Sequence, residues 1–163
     1  MRGKERPDPN KSLVGFMVGG VSYAVPIGVV KEIVNPLVLT ALPHLSQAVA
    51  GVADHRGDVI VIVDLRARFG LGPSPDQSRS KWVLLAVANR IVGLIVDRVT
   101  DVFGTGRDHV RSAPALGGGE DTRGIVGVVS HGGVLTFVLD VGRFEAITDE
   151  LPESLALSQR LGA

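Results

Sequence analysis

A chain of 163 residues with 45% hydrophobic content can bury a real core, as one domain of ordinary size or two very small ones. Seventeen basic residues balance seventeen acidic ones, so the formal charge is zero and there is no basic field to hold nucleic acid or an anionic membrane surface. Cysteine is absent, which removes disulfides, thiol catalysis and cysteine-ligated metals.

The first twelve residues, M-R-G-K-E-R-P-D-P-N-K-S, carry charge without a following apolar stretch of signal-peptide quality. They are expected to form a flexible tail, in a protein of the cytoplasm. Residues 13–18 and 22–26 read as strands joined by a turn at Gly19-Gly20. Val29, Val30 and Ile33 are then apolar at i, i+1 and i+4, which predicts a helical turn ending before Pro36. Residues 49–53 and 59–64 form the next predicted hairpin, with Gly57 at a turn position of positive φ. A helical turn over 65–69, closed by Gly70, leads into G-P-S-P-D-Q-S-R-S, a linker composition. Strands over 82–88 and 91–96 around Asn89-Arg90, a helical turn near 98–102 and a hairpin around Gly132-Gly133 follow. Leu151, Leu155, Leu157 and Leu161 predict a C-terminal helix over 149–163. The longest apolar runs, such as 59–63 and 83–88, fall far short of the roughly 18 residues that cross a bilayer, so no direct membrane insertion is expected.

These elements form two copies of one unit. G-V-A-D-H-R-G-D-V-I-V-I-V-D-L from Gly51 matches G-V-V-S-H-G-G-V-L-T-F-V-L-D-V from Gly127, an offset of 76 (127 − 51). F-M-V-G-G-V-S-Y-A-V-P-I-G-V-V-K-E-I from Phe16 matches L-A-V-A-N-R-I-V-G-L-I-V-D-R-V-T-D-V from Leu85, an offset of 69 (85 − 16). The second copy therefore carries a longer internal connection, in which Gly117-Gly118-Gly119 reads as a flexible loop. Four or five short strands per half bury best in a small closed barrel, and two barrels side by side are the simplest arrangement. Residues 59–63 are apolar on both faces, so the outward face must be covered by the sibling barrel, a helix or another protein.

Candidate chemistry is sparse. His44, His55, His109 and His131 lack metal-ligand spacing, and no metal or cofactor is implied. Asp64 and Asp140, equivalent in the repeat, read as N-caps of short helical turns. A small hydrolase would have to combine Ser130 and His131 with Asp140, but Ser130 and Asp140 lie at opposite ends of one hairpin. A self-assembling structural barrel is a further alternative.

The order of the Phe16 segment, A-L-P-H, the Gly51 segment with its Arg56-Gly57 turn and Asp64-Leu65, and R-I-V-G-L-I-V-D-R-V-T-D-V resembles the CheW family of chemotaxis coupling proteins, from about residue 13 to 147. The resemblance implies a mainly β fold of two SH3-like five-stranded β-barrels packed together, residues 13–148, as intertwined subdomains of about 13–72 and 80–148. It implies a non-catalytic adaptor, recruited to receptor arrays. Its partners would be the regulatory domain of a CheA-type histidine kinase, through largely apolar contacts, and the cytoplasmic tip of chemoreceptors, in a groove between the barrels. The family's paired acid and base fall on Glu32 and Arg56, and further receptor or kinase contacts fall on Val30, Gly51 and Val102. Asp54-His55 departs from the Asn-Leu usual before Arg-Gly.

Overall fold

A computed structural model describes residues 12–43, 48–105, 110–111 and 124–145. The expected N-terminal tail before Ser12, the loop at 117–119, the C-terminal helix, His44 and His109 lie outside the described residues. Ten strands carry the fold: β1 (Ser12–Val18), β2 (Val21–Pro26), β3 (Val30–Val34), β4 (Val49–His55), β5 (Asp58–Asp64), β6 (Lys81–Val87), β7 (Arg90–Val96), β8 (Arg98–Gly104), β9 (Ile125–His131) and β10 (Val134–Leu139). An α-helical turn, α1 (Leu65–Arg68), follows β5, and a 3-10 turn over Val141–Phe144 follows β10. The caps are those expected. Asp64 Oδ1 accepts from the backbone of Arg66 at 3.0 Å, and Asp140 Oδ1 accepts from that of Gly142 at 3.0 Å.

All four tight hairpins turn through two residues with positive φ, the geometry that matches the twist of antiparallel strands. Arg56 and Gly57 have φ of 53° and 88°, as Gly57 was expected to require. The turn between β6 and β7 falls on Ala88 and Asn89, one residue earlier than expected. Two expected helical turns are strands instead. Residues 30–34 pair with β6 and residues 98–104 pair with β1, each with a bulge, at Lys31 in β3 and near Thr100 in β8. Ile33 and Val102 are exposed apolar residues on these edge strands, and they gave a strand the spacing of a helix.

The sheets run β8-β1-β2-β10-β9 and β3-β6-β7-β5-β4. Under the repeat, β1 to β5 correspond to β6 to β10, which converts one order into the other. Each sheet thus takes its first hairpin from one half and its remaining three strands from the other half. The boundaries 13–72 and 80–148 mark the repeat and do not divide the sheets. The chain changes sheet twice, through a 3-10 turn over Ile27–Val29 and through the single residue Asp97. It can do so because the hairpin of each half joins its foreign sheet by a parallel pairing, β2 to β10 and β7 to β5.

Strand alternation explains the three apolar clusters. In β5, Val61 and Val63 face the main cluster between the sheets, with Val83, Leu85, Val92 and Leu94 of the same sheet and Val14, Phe16 and Val25 of the other. Ile60 and Ile62 face the opposite way, onto Trp82 and Leu84. The doubly apolar strand is therefore covered on its outward face by the sibling sheet. Full burial of each such side chain contributes about 1.5–3 kcal/mol. In the first sheet Leu13, Ala24, Phe103, Val129 and Val138 fill the corresponding inner cluster.

Closure differs from the expected barrel. The edges β3 and β4 do not pair with each other, nor do β8 and β9. Among the described residues, the chain leaving β3 bridges to β4 at Thr40, which exchanges two backbone hydrogen bonds of 2.8 and 2.9 Å with Val52. Arg111 does the same with Val128 of β9, at 2.9 and 2.8 Å. Each seam carries this one backbone bridge among the described residues.

Candidate functional site

Because β3 and β4 are the two edges of the second sheet, side chains from both meet across its seam. Glu32 projects from β3, His55 ends β4, and Arg56 follows in the turn. Arg56 Nη2 donates to Glu32 Oε1 at 2.9 Å, and His55 Nε2 stands 3.0 Å from Glu32 Oε2. Burial is graded across the three, with side-chain exposures of 13% for His55, 32% for Glu32 and 74% for Arg56. Asp54 Oδ1 accepts from the Gly57 backbone at 2.9 Å and braces the turn. The expected acid and base thus meet, on a strand edge rather than a helical turn.

The same seam recurs in the first sheet. His131 Nε2 lies 3.1 Å from Asp101 Oδ2, joining β9 to β8, and Phe103 stacks on the imidazole at a centroid distance of 3.8 Å. Asp101 and His131 are the repeat equivalents of Glu32 and His55. Gly132 occupies the position of Arg56, so the turn of the first sheet's seam carries no arginine. The sequence marks His55 only as a departure from the family pattern and His131 only within the hydrolase alternative, and the pairing of each with an acid was not expected. The two repeat offsets show that each half carries an acid and a histidine at equivalent positions, which is the signal the sequence offers.

The other expected contact residues are distributed more widely. Gly51 is buried in β4, and a Cβ there would run into the Thr40 carbonyl oxygen, so glycine is needed for the bridge at the sheet edge. Val30 is half-buried on β3 against the core between the sheets. Val102 lies on β8 of the other sheet, half-exposed, and is not part of the Glu32 cluster. Further exposed apolar surface lies on β9 and β10 at Val126, Val134 and Leu135.

A second polar cluster joins the halves. Arg66 of α1 donates from Nε and Nη2 to the two carboxylate oxygens of Asp97 at 2.8 and 2.9 Å, and from Nη1 to the Gly72 carbonyl at 2.9 Å. Asp97 Oδ2 also accepts from the Gly19 backbone at 2.8 Å. These bonds, that from Arg66 foremost, hold the Asp97 carboxyl below the usual carboxylate range, and the Asp97 partner raises the Arg66 guanidinium. Asp97 is the crossover residue, so this clasp fixes the point where the chain changes sheet.

The hydrolase alternative fails on geometry. His131 engages Asp101, while Asp140 caps the turn after β10. Among the described residues no cluster of three His, Asp or Glu could hold a metal, and no helix is long and apolar enough to cross a membrane.

Two sheets that exchange hairpins, each with an acid–histidine contact across its seam, form the frame of this chain. A CheW-like domain model matches residues 12–146. The chain belongs to the CheW-like family. It is 32% identical over 138 residues to the chemotaxis protein CheW of Treponema pallidum, covering 82% of this chain and 81% of that one. It is 32% identical over 107 residues to the probable chemotaxis protein CheW of Rhizobium etli, covering 66% and 69%. Its fold matches the crystal structure of the scaffolding protein TtCheW from Thermoanaerobacter tengcongensis, with a TM-score of 0.73 at 24% identity over 85% of this chain and 89% of that one.

Proposed function

We propose that this protein is the cytoplasmic adaptor that couples chemoreceptor tips to the regulatory domain of a CheA-type histidine kinase, in receptor arrays. The observation that carries the reading is the family match over residues 12–146, which spans both sheets. The ion-paired Arg56, three-quarters exposed, supports it as a partner contact, and Val30, Glu32, Gly51 and Val102 complete the proposed contact set. Gly51 would act by keeping the bridge at the sheet edge. The test is capture of partners from source cells with the full chain as bait, followed by reconstitution with the captured kinase and receptor. Recovery of both, with a rise in kinase autophosphorylation that requires the adaptor, is the expected result. Recovery of neither, or homo-oligomers alone, would replace the adaptor with a self-assembling structural protein.

A further inference from the structure

Arg68 of α1 and Phe144 of the 3-10 turn after β10 are equivalent positions of the repeat, at the offset of 76 (144 − 68), and they touch. The guanidinium carbon stands 5.0 Å from the centre of the Phe144 ring. A residue meets its own counterpart only beside the axis that relates two copies, so this contact lies where the halves join. A second arginine lies there. A Cβ built on Gly124, in the backbone ahead of β9, would stand 3.2 Å from Arg143 Cγ and 3.8 Å from Arg68 Nη2. Two arginine side chains, one from each half, thus come together beside Gly124.

Charge at this junction is not balanced. Arg68 Nε is buried and has no hydrogen-bond partner among the described residues. Burial first, and then the neighbouring charge of Arg143, push the Arg68 guanidinium below its ordinary range. Asp140 meets Arg143 at 3.8 Å, longer than a hydrogen bond, and offsets one of the two charges. The Phe144 ring face attracts the Arg68 cation but brings no counter-charge. An anion within reach of both guanidiniums would remove their repulsion and accept from the N–H groups of each fork.

We infer that Arg68 and Arg143 form a site for a small oxyanion of the phosphate class, beside Gly124 and the Phe144 ring. Donors arriving from two separate elements suit a tetrahedral group, which carries oxygens on several sides. The anion ties α1 of one half to the turn that ends the other. Neither seam contributes to the site, so the inference does not rest on the adaptor reading.

The test uses inorganic phosphate on the full chain, with sodium chloride at equal ionic strength as the reference. Phosphate at about 10 mM should slow phenylglyoxal modification of Arg68, read by tandem mass spectrometry, by about twofold or more, as for a dissociation constant of about 10 mM or tighter. Arg56, three-quarters exposed, should react at an unchanged rate. The denaturation midpoint of the parent should rise saturably with phosphate, and that rise should be lost in Arg68→Gln and in Arg143→Gln. A rise of equal size in the variants is ion exclusion acting on the whole surface, and it overturns the inference. Equal reactivity of Arg68 with and without phosphate overturns it as well. Should Arg68→Gln not fold, Arg143→Gln and the protection of Arg68 in the parent decide.

Discussion

Arg56 is a charged residue in the left-handed region of a hairpin turn, with φ of 53°, where Gly19 and Gly132 stand in two of the other three turns. Such a conformation costs about 1 kcal/mol or more for a residue with a Cβ, and an exposed ion pair returns only about 0–1 kcal/mol. Stability does not account for an arginine here, which agrees with its proposed role as a partner contact. Arg56→Ala and Glu32→Ala should each leave thermal stability within about 1 kcal/mol of the parent while weakening receptor coupling. Additive effects in a double-mutant cycle on receptor binding would show that the two do not act as a pair. The Arg66–Asp97 clasp is the opposite kind of residue pair, bidentate and mostly shielded. A carboxyl held below its usual range contributes stability that is present above the unfolded value near pH 4 and lost as pH falls through the depressed folded value. Denaturation midpoints between about pH 2 and 6 should therefore fall more steeply in the parent than in Asp97→Asn, and parallel curves would refute the assignment. The Glu32–Arg56 pair was legible in the sequence through family resemblance. The clasp was not, since neither Arg66 nor Asp97 has an equivalent in the other half and nothing in their spacing brings them together.

At the scale of elements, hairpins were the most legible part of the chain, since Gly19-Gly20, Arg56-Gly57 and Gly132-Gly133 sit between alternating apolar runs. Gly57→Val should destabilise the protein by about 1 kcal/mol or more, because a β-branched side chain strongly disfavours a φ of 88°. An unchanged denaturation midpoint would contradict that. The third strand of each half was misread because its bulge and its exposed Ile33 or Val102 break the period of two. The outward valines of β5, expected to be a docking face if nothing in the chain covered them, lie inside the core between the sheets. Exposed apolar surface lies instead on β9 and β10, at Val126, Val134 and Leu135. If kinase binding uses this hairpin, raising salt from about 50 to 500 mM, which shortens the Debye length from about 14 to 4 Å, should change the affinity little. Abolition of binding by salt would show that charge dominates.

For the whole molecule, the exchange of hairpins means that every sheet contains strands from both halves and one core lies between the sheets. Unfolding should therefore be a single transition, with calorimetric and van't Hoff enthalpies equal and with Val61→Ala and Val92→Ala both shifting that one midpoint. Two separable transitions would indicate independent units. The duplication was plain in the sequence, but the exchange was not. A repeat reads the same whether each copy folds on itself or trades its first hairpin, and only the brevity of the crossovers at 27–29 and Asp97 decides it. The traded arrangement is also what two identical half-length chains would adopt as a symmetric pair, and such a pair must carry the same residue at both of its equivalent positions. Joining the halves through the 71–80 linker removes that obligation. Mutation can then alter one seam without touching the other, and the difference between Arg56 and Gly132 is how a molecule with twofold internal ancestry comes to have distinguishable faces.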